Sequence, residues 1–387
     1  MNAPSSLLSL LGASWEFEAP VVAVAWAKEG SMVAFALGDG HLAVADAQWR
    51  GGPRVEPKPG GGVAVVPATE PPPRPVRAAC HQGSCLALAA DAAGGFITGG
   101  DDGRLVQVPR VGNPEVLARA PGGWIDALAC SARGVRAYAS GRSVHRLGVV
   151  ASPSIDLPAP ATALAFSPDG HCLAVAHSGG VTLWPDAGPT RTLAAPGYHR
   201  ALAWSPDGHY LVSGMQENAL HGWRVADGGD LEMGGYPGQP LSLSFACDGR
   251  YLATSGATRP VCWGFDPPRA ADSPVECGIP SQTAVNCVAC HPRQSLIATG
   301  YTNGAVVLCQ PGSDQGMFIK GSGGGAVNGL AWSGDGSRLA FGTQSGVFGW
   351  VELPDALFTS SGRGAAGQST QPAKPNSTSQ STTKAMS

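Results

Sequence analysis

The chain alternates short apolar segments with polar turns that contain glycine. In the two clearest copies, an apolar segment is followed by Ser-Pro-Asp-Gly, at 167–170 and at 205–208. Each copy continues into a second apolar segment and then a third, which ends at Trp184 or Trp223. Apolar runs of this length, bounded by turn residues, predict β-strands. The pattern therefore predicts a repeated β-unit, and such a unit must stack on its neighbours to bury its faces.

Eight such units align on the last residue of their first strand. These residues are Trp26, Ala90, Cys130, Phe166, Trp204, Phe245, Cys290 and Trp332, at intervals of 64, 40, 36, 38, 41, 45 and 42 residues. Six of the intervals cluster around the roughly 40–45 residues of a four-stranded propeller blade. We number the units one to eight. They predict an all-β protein, a closed β-propeller of four-stranded antiparallel blades. Eight blades are expected, or seven if the weak second or third unit is not a true blade.

The two chain ends are expected to meet in one sheet. Residues 14–18 alternate as a strand does and precede the first unit, so they would supply the outer strand of the last blade. This closure removes the free sheet edges that favour aggregation. The expected organisation is an N-terminal lead at 1–13, a propeller at 14–353 and a disordered Ser/Thr/Gln-rich tail at 354–387. Within the propeller, a Pro/Gly-rich insert at about 50–75 is expected to form a mobile extended loop.

The repeated turns and closing tryptophans resemble those of the WD40 repeat family. The tryptophans are Trp184, Trp223, Trp263 and Trp350, and the turns include Ser333-Gly334-Asp335-Gly336. However, no Gly-His dipeptide opens a unit and no tryptophan is followed by Asp. The buried His–Ser/Thr–Asp–Trp relay of the family is therefore expected to be largely missing. The resemblance implies a platform for protein–protein interaction. The segment 213–224, with 234–237, also resembles WD40 proteins of α-proteobacteria, which implies a bacterial cytoplasmic protein without an established activity.

Composition and charge remove several functional classes. The net charge is −3 and no run of Lys or Arg occurs, so neither nucleic acid nor a membrane surface is an expected partner. No apolar stretch of 18 residues or more occurs, which argues against a membrane span. The N-terminal residues lack the basic region of a secretory signal. Ten scattered cysteines without a paired framework fit a reducing cytoplasm. A cytoplasmic monomer is expected.

Two motifs imitate cofactor sites. Cys287-Val-Ala-Cys290-His291 spells a haem-attachment signature, but it lies in a predicted strand, where positions three apart point to opposite faces. The Gly-rich segment 321–326 matches a dinucleotide fingerprint, but a strand rather than a helix is predicted to follow it. No phosphate-binding loop and no nucleophile elbow occurs. No cofactor and no enzymatic activity are expected.

Metal binding is the alternative that the sequence leaves open. Its candidate ligands are Cys80, His81, Cys85, His177 and His199. Their spacing does not match a zinc motif and ensures no convergence, so no metal site is expected. The alternative function is a propeller that binds a small ligand or a metal, possibly an enzyme.

The main functional expectation is a non-catalytic scaffold that binds a protein through one loop face. This face would consist of the loops that enter each unit and the turns between second and third strands. Aromatic, arginine and amide residues in exposed loops are typical of interfaces, although each could also only cap its own turn. The candidates are Trp124, Tyr198, His199, Arg200, Gln216, Glu217, Asn218, Tyr236, Gln239, Tyr301 and Asn303.

Overall fold

The structure is a computed structural model. It describes residues 6–59, 62–120, 123–148, 154–265 and 272–359. These residues are almost entirely strand and turn, because short apolar runs with β-branched residues alternate with glycine turns. Second strands such as Met32–Leu37 and Phe96–Gly100 are buried along nearly their whole length, as expected for strands in the middle of stacked sheets.

The described elements run from a short N-terminal helix to a short C-terminal one. Up to Asp156 they are α1 (Leu7–Leu11), β1 (Gly12–Glu16), β2 (Val21–Trp26), β3 (Met32–Leu37), β4 (His41–Asp46), β5 (Arg54–Pro57), β6 (Val63–Val66), β7 (Val76–Ala79), β8 (Cys85–Ala90), β9 (Phe96–Gly100), β10 (Arg104–Val108), β11 (Glu115–Arg119), β12 (Ala127–Cys130), β13 (Arg136–Ser140), β14 (Ser143–Leu147) and β15 (Ser154–Asp156).

The later elements continue the same pattern. They are β16 (Ala161–Phe166), β17 (Cys172–Pro185), β18 (Arg191–Trp204), β19 (Tyr210–Met215), β20 (Leu220–Arg224), β21 (Gly229–Met233), β22 (Leu243–Phe245), β23 (Tyr251–Thr254), β24 (Val261–Gly264), β25 (Asp272–Glu276), β26 (Val285–Cys290), β27 (Ile297–Tyr301), β28 (Val306–Cys309), β29 (Met317–Lys320), β30 (Val327–Trp332), β31 (Arg338–Thr343), β32 (Val347–Glu352) and α2 (Ala356–Thr359).

These strands form an all-β propeller of seven blade sheets. Six sheets have four strands, in the orders β2-β3-β4-β7, β8-β9-β10-β11, β12-β13-β14-β15, β22-β23-β24-β25, β26-β27-β28-β29 and β30-β31-β32-β1. The seventh has six strands, β16 to β21 in order, and β5 and β6 form a separate hairpin. Neighbouring strands are antiparallel throughout the pairs described.

The expectation of eight separate blades is not supported. The first strands of the eight units do contact one another in chain order around a closed ring. Units four and five, however, share the six-stranded sheet, because the 14-residue strand β18 pairs with β17 along its first part and with β19 along its second. The segment 195–198, which the sequence predicts as a loop, is continuous strand in β18.

The predicted closure by the N-terminus is confirmed. β1 pairs with β32 from Gly12 opposite Val351 to Glu16 opposite Val347, so the strand begins two residues earlier than expected. The side chain of Trp15 lies 5.8 Å, centroid to centroid, from that of Phe348, which is fully buried. Both ends of the chain thus belong to one sheet.

The expectation of an extended loop in the insert is wrong for residues 54–57 and 63–66. Arg54–Pro57 and Val63–Val66 pair as the hairpin β5–β6. Val55 and Val65 pack, together with Leu357 and Phe358 of α2, against a buried cluster that includes Leu353. Apolar contact with the propeller therefore orders this hairpin. Of the predicted tail, residues 356–359 are helix, and residues 360–387 lie outside the described residues.

Two sets of side-chain hydrogen bonds link first strands of neighbouring units. Near the end of the strands, indole N–H groups donate across the boundary: Trp26 to the carbonyl of Ala331, Trp204 to Ala165 and Trp332 to Ala289, at 2.9–3.1 Å. Near the start, Asn286 donates to Val327 and Asn328 to Val21, each at 2.9 Å, and Thr162 donates to His199. These bonds join the first strands at both ends at three of the eight junctions: between units four and five, seven and eight, and eight and one.

The Asp-Gly turns between first and second strands repeat one geometry. Ser167, Ser205 and Ser333 each donate from Oγ to the aspartate two residues later, at 2.5–2.6 Å. The following glycines have φ near +73°, which disfavours other residues. Burial alone would raise the pKa of Asp335, but the hydrogen bonds from Ser333 and Ser337 lower it to about 2. The shared sequence of these turns therefore encodes a shared local structure.

Gly349→Ala tests the closure. A Cβ at Gly349 would collide with the Ala13 carbonyl of β1, whereas a Cβ at Gly264, also in a third strand, would meet no atom of the described residues within 4 Å. We expect Gly349→Ala to lower the free energy of unfolding by about 1–3 kcal/mol because the N-terminal strand must shift. Denaturant titration measures this, with Gly264→Ala as the matched control. Equal stability of the two variants would contradict the closure.

Candidate interaction face

The strand directions place two kinds of loop on one face, here called the loop face. The loops that enter the units meet the turns between second and third strands, because neighbouring strands are antiparallel. Backbone hydrogen bonds join them: the N–H of Gln216 donates to the Tyr198 carbonyl (3.0 Å), and the N–H of Gly323 donates to that of Asn303 (2.8 Å). The loop face is therefore a built surface rather than a set of independent loops.

Five of the predicted residues come together in the fifth unit. We call Tyr198, Arg200, Gln216, Glu217 and Asn218 the fifth-unit patch; all five are exposed. The Glu217 carboxylate accepts the backbone N–H of Tyr198, at 3.0 and 3.2 Å. The Arg200 guanidinium carbon lies 5.9 Å from the Tyr198 ring centroid. Asn218 has φ of 56°, the one positive value outside glycine in the described chain. The turn thus fixes Glu217 against the backbone and leaves Tyr198 and Arg200 outward.

A β-bulge explains the position of Arg200. The register of the pairing between first and second strands shifts at the same place in six units, and the unpaired residues are Val22, Leu86, Thr162, Arg200, Asn286 and Asn328. Thr162, Asn286 and Asn328 use their side chains to bind the next unit. Among the described residues, Arg200 has no hydrogen-bonding or ionic partner. Its guanidinium donors are therefore available to a ligand.

Three residues predicted to lie on the face are buried instead. His199, Tyr236 and Tyr301 are 0 %, 8 % and 4 % exposed. Tyr236 Oη accepts the indole N–H of Trp263 and lies 2.6 Å from Thr254 Oγ1. Burial raises the pKa of Tyr236 and of Tyr301 to about 12 in each case. These side chains support the loops from below, so the expectation that they are exposed on the face is wrong.

Among the described residues, parts of the family's polar relay are present in two units and a variant of it in a third, although the full His–Ser/Thr–Asp–Trp set is complete in none of them. In unit two, the His81 ring lies 2.9 Å from Asp102 Oδ1 and 2.9 Å from Thr98 Oγ1. In unit five, His199 Nδ1 lies 3.0 Å from Ser213 Oγ, and its Nε2 lies 3.1 Å from the Ala195 carbonyl. In unit six, the trio Tyr236, Thr254 and Trp263 replaces the histidine version. Sequence reasoning missed these relays because it required a Gly-His dipeptide.

The remaining predicted residues, Trp124, Gln239 and Asn303, are also exposed, but they lie in loops of other units. Trp124 is 64 % exposed, in the loop that enters unit three. Asn303 Oδ1 accepts the N–H of Ala305 at 3.0 Å, so it caps its own turn. Gln239 is exposed in the loop that enters unit six. These three residues extend the polar and aromatic character of the face.

A small cavity lies in the neighbouring sixth unit, and the sequence analysis did not predict it. It has a volume of about 180 Å³ and is lined mainly by Tyr236, Trp263, Thr258, Glu276 and the segment 234–237. Ligand sites for small molecules are usually larger, about 300–1,000 Å³. The cavity fits one inserted side chain better than a cofactor. The Gly-Gly-Tyr-Pro sequence at 234–237, which lines the cavity, is the feature of the sequence that could have indicated it.

The candidate metal ligands do not converge. Both ring nitrogens of His81 are engaged in the relay, Cys80 Sγ lies 3.5 Å from the Ala78 carbonyl, and Cys85 Sγ lies 3.5 Å from that of His41. Both ring nitrogens of His177 also have partners, the Ser178 carbonyl and Thr182 Oγ1. Within the described ranges, no group of three or more His, Cys, Asp or Glu could hold a metal ion.

The two cofactor-like motifs occupy strands and loops as expected. Cys287 Sγ donates to the Val327 carbonyl of unit eight (3.2 Å), whereas Cys290 Sγ donates to Ser244 of unit six (3.1 Å). The two thiols thus point to opposite sides of their strand. The Gly-rich segment 321–326 is followed by strand β30.

Comparison with known proteins identifies the repeat. Residues 189–224, which span the fifth-unit patch, match the family described as WD domain, G-beta repeat (WD40). The chain is a β-propeller that contains a WD40 repeat. Its fold is similar to that in the crystal structure of the computationally designed Ika8 protein, with a TM-score of 0.65 and 16 % identity, over 89 % of this chain and 99 % of that one. At this identity the likeness shows the fold alone. No curated protein matches this chain.

The WD40 propeller has no described helix that is long and apolar enough to cross a membrane. All ten of its cysteines are free thiols.

The matched repeat includes the fifth unit, whose turn between second and third strands lacks Asp-Gly. The family match and the fifth-unit patch therefore fall on the same stretch of chain.

Acid should destabilise the propeller through His199. Burial lowers the pKa of His199 below its ordinary value of 6.5, so below that pH the unfolded chain binds a proton that the folded protein does not. Stability then falls with acid, by up to about 1.4 kcal/mol per pH unit for this group. We expect His199→Gln to reduce the loss of unfolding free energy between about pH 7.5 and about pH 5.5.

The matched control is His209→Gln, because the His209 side chain is 75 % exposed in a surface turn. Denaturant titrations at both pH values measure the difference. If both His199→Gln and His209→Gln show the same pH dependence of the unfolding free energy as the unaltered protein, protonation of His199 on unfolding does not cause the acid destabilisation.

Proposed function

We propose that this WD40 propeller is a non-catalytic scaffold that binds a protein partner through its loop face, with the fifth-unit patch at the centre. The observation that carries the proposal is that the Arg200 side chain is exposed and unpaired among the described residues. Arg200 lies at a bulge where three other units use a polar side chain to bind the neighbouring unit. It forms no such bond and is exposed beside Tyr198. Arginine and tyrosine are enriched in the energetic centres of interfaces.

The chemistry of the patch favours a partner segment that carries a carboxylate next to an apolar side chain. Arginine binds carboxylates through two parallel hydrogen bonds. Glu217 does not compete for Arg200, because its oxygens accept the backbone N–H of Tyr198. The cavity beside Tyr236 and Trp263 could receive the apolar side chain. Exposed Leu241 (37 %) and Trp124 (64 %) add apolar surface on the same face.

We further propose that the protein acts as a monomer in the cytoplasm of a bacterium. The free state of all ten cysteines supports a reducing compartment. The bacterial origin rests on the sequence resemblance alone. The low charge and the absence of a basic run support a protein partner rather than a nucleic acid or a membrane.

Arg200→Ala tests the proposed face. A partner recovered from a bacterial lysate should be purified, and its Kd measured by calorimetry. We expect Arg200→Ala to weaken the affinity at least about tenfold, and Tyr198→Ala to act in the same direction. The control is Arg110→Ala, because Arg110 is exposed in the turn between third and fourth strands, on the opposite face. A confirmed partner that binds all three variants alike would refute the face.

The competing function, a metal-dependent or enzymatic propeller, has less support, because the rings and thiols of its candidate ligands have protein partners. We expect purified protein to carry zinc well below one ion per chain. Elemental analysis measures this. One zinc per chain, lost in a Cys80→Ser/His81→Ala variant, would overturn the scaffold proposal.

A further inference from the structure

Two buried cysteines of unit six have their sulfurs in contact. Cys262 lies in the third strand, β24, and Cys277 directly follows the fourth strand, β25. They are 1 % and 0 % exposed, and their Sγ atoms lie 3.3 Å apart. A disulfide needs a separation of about 2.05 Å, so the sulfurs would have to approach by about 1.2 Å. Cys277 pairs with Pro260, so the two cysteines are diagonal neighbours across the strand pair, and the approach takes a backbone shift together with rotation of the side chains.

The surroundings of Cys277 stabilise a thiolate. The Gly312 N–H donates to Cys277 Sγ at 3.2 Å. Arg259 is held beside it by hydrogen bonds to the carbonyls of Cys277 (3.3 Å) and Gly278 (2.7 Å). The hydrogen bond shared with Cys262 lowers the pKa of Cys277, and the N–H of Gly312 and the charge of Arg259 act in the same direction against the effect of burial. The same hydrogen bond raises the pKa of Cys262. These surroundings favour Cys277 as the nucleophilic sulfur and Cys262 as the sulfur that keeps its proton.

One loop contacts both this pair and an open cavity. The loop at 310–316 covers Cys277, since Gly312 binds its sulfur and Ser313 accepts the N–H of Gly278 at 2.7 Å. Residues of the same loop line an open cavity of about 270 Å³, together with Cys309 and Met317. A molecule as small as hydrogen peroxide can enter a cavity of that size.

We propose that Cys262 and Cys277 are a redox modification site that hydrogen peroxide converts to a disulfide. The Cys277 thiolate attacks one peroxide oxygen, the O–O bond breaks, and the departing hydroxide takes up a proton to leave as water. The resulting sulfenic acid is attacked by the Cys262 sulfur, so the S–S bond forms and the S–O bond breaks. The second hydroxide leaves as water with the Cys262 proton. The two thiols lose two electrons, and one peroxide is reduced to two waters.

Oxidation of the folded protein tests this site directly. The protein is treated with hydrogen peroxide, free thiols are blocked, and a digest is analysed by mass spectrometry without reduction. We expect a peptide cross-linked between Cys262 and Cys277. The internal control is Cys247, an exposed cysteine. Absence of the cross-link at a peroxide dose that oxidises Cys247 would overturn the proposal, and this result depends on no substitution.

Two substitutions separate the roles of the sulfurs. In Cys262→Ser, a sulfenic acid should persist at Cys277 and react with dimedone. In Cys277→Ser, Cys262 should oxidise about tenfold more slowly than Cys277 does in Cys262→Ser, because a small fraction of Cys262 is thiolate. Cys247→Ser should leave the cross-link unchanged. Equal rates at Cys262 and Cys277 would contradict the assignment of Cys277 as the nucleophile. Circular dichroism of each variant confirms that the comparison is made on folded protein.

Discussion

The closed ring of first strands is the constraint on which the rest of the structure depends. No single unit can bury both faces of its sheet, so each relies on its two neighbours. The indoles of Trp26, Trp204 and Trp332 bind across three junctions near the end of the first strands, and Asn286 and Asn328 bind across two of them near the start. The ring closes where β2 meets β30, and β1 completes the sheet of the last unit by pairing with β32. The geometry of the loop face follows from this closure, since the loops enter the strands of the ring.

The ring also explains why Arg200 is significant. At the same bulge, the side chains of Thr162, Asn286 and Asn328 hydrogen-bond to the neighbouring unit. These bonds stabilise the ring, and the groups that form them are not free to bind a ligand. The Arg200 side chain forms no such bond, and Trp204 in the same strand donates the hydrogen bond to unit four. A functional side chain can therefore occupy a structural position where the ring has another attachment. The dithiol of Cys262 and Cys277 lies further out in the sheet and does not bear on the ring.

Much of the fold could be predicted because strands and Asp-Gly turns leave a strong local pattern. The closing strand, the repeat spacing and the strand character of 285–290 all depend on residues close in sequence. The count of separate sheets could not be predicted, since the strand through 195–198 contains Pro196 and Gly197, which usually interrupt strands. The hairpin of the insert was missed because its order comes from Val55 and Val65 packing on distant residues.

The candidate site was predicted in part, for a similar reason. Arg200, Glu217 and Asn218 are polar turn or bulge residues, and the cost of burying a charge or an unpaired amide keeps them at the surface. Tyr236 and Tyr301 occupy comparable loops, but an aromatic ring with a hydroxyl can be buried when the hydroxyl finds a partner, as Tyr236 does with Trp263. Sequence alone does not show where that partner lies. The relay of His81 with Asp102 was missed because its members are 21 residues apart.

Native-state hydrogen exchange, read by mass spectrometry, tests the closed ring most directly. The account predicts that amides of Gly12–Glu16 are protected to the same degree as those of Val347–Glu352, because the two strands open only when the ring opens. It also predicts continuous protection along Arg191–Trp204, the strand that joins units four and five. Rapid exchange of Gly12–Glu16, at the rate of a frayed terminus, would contradict the closure and with it the fixed geometry of the loop face.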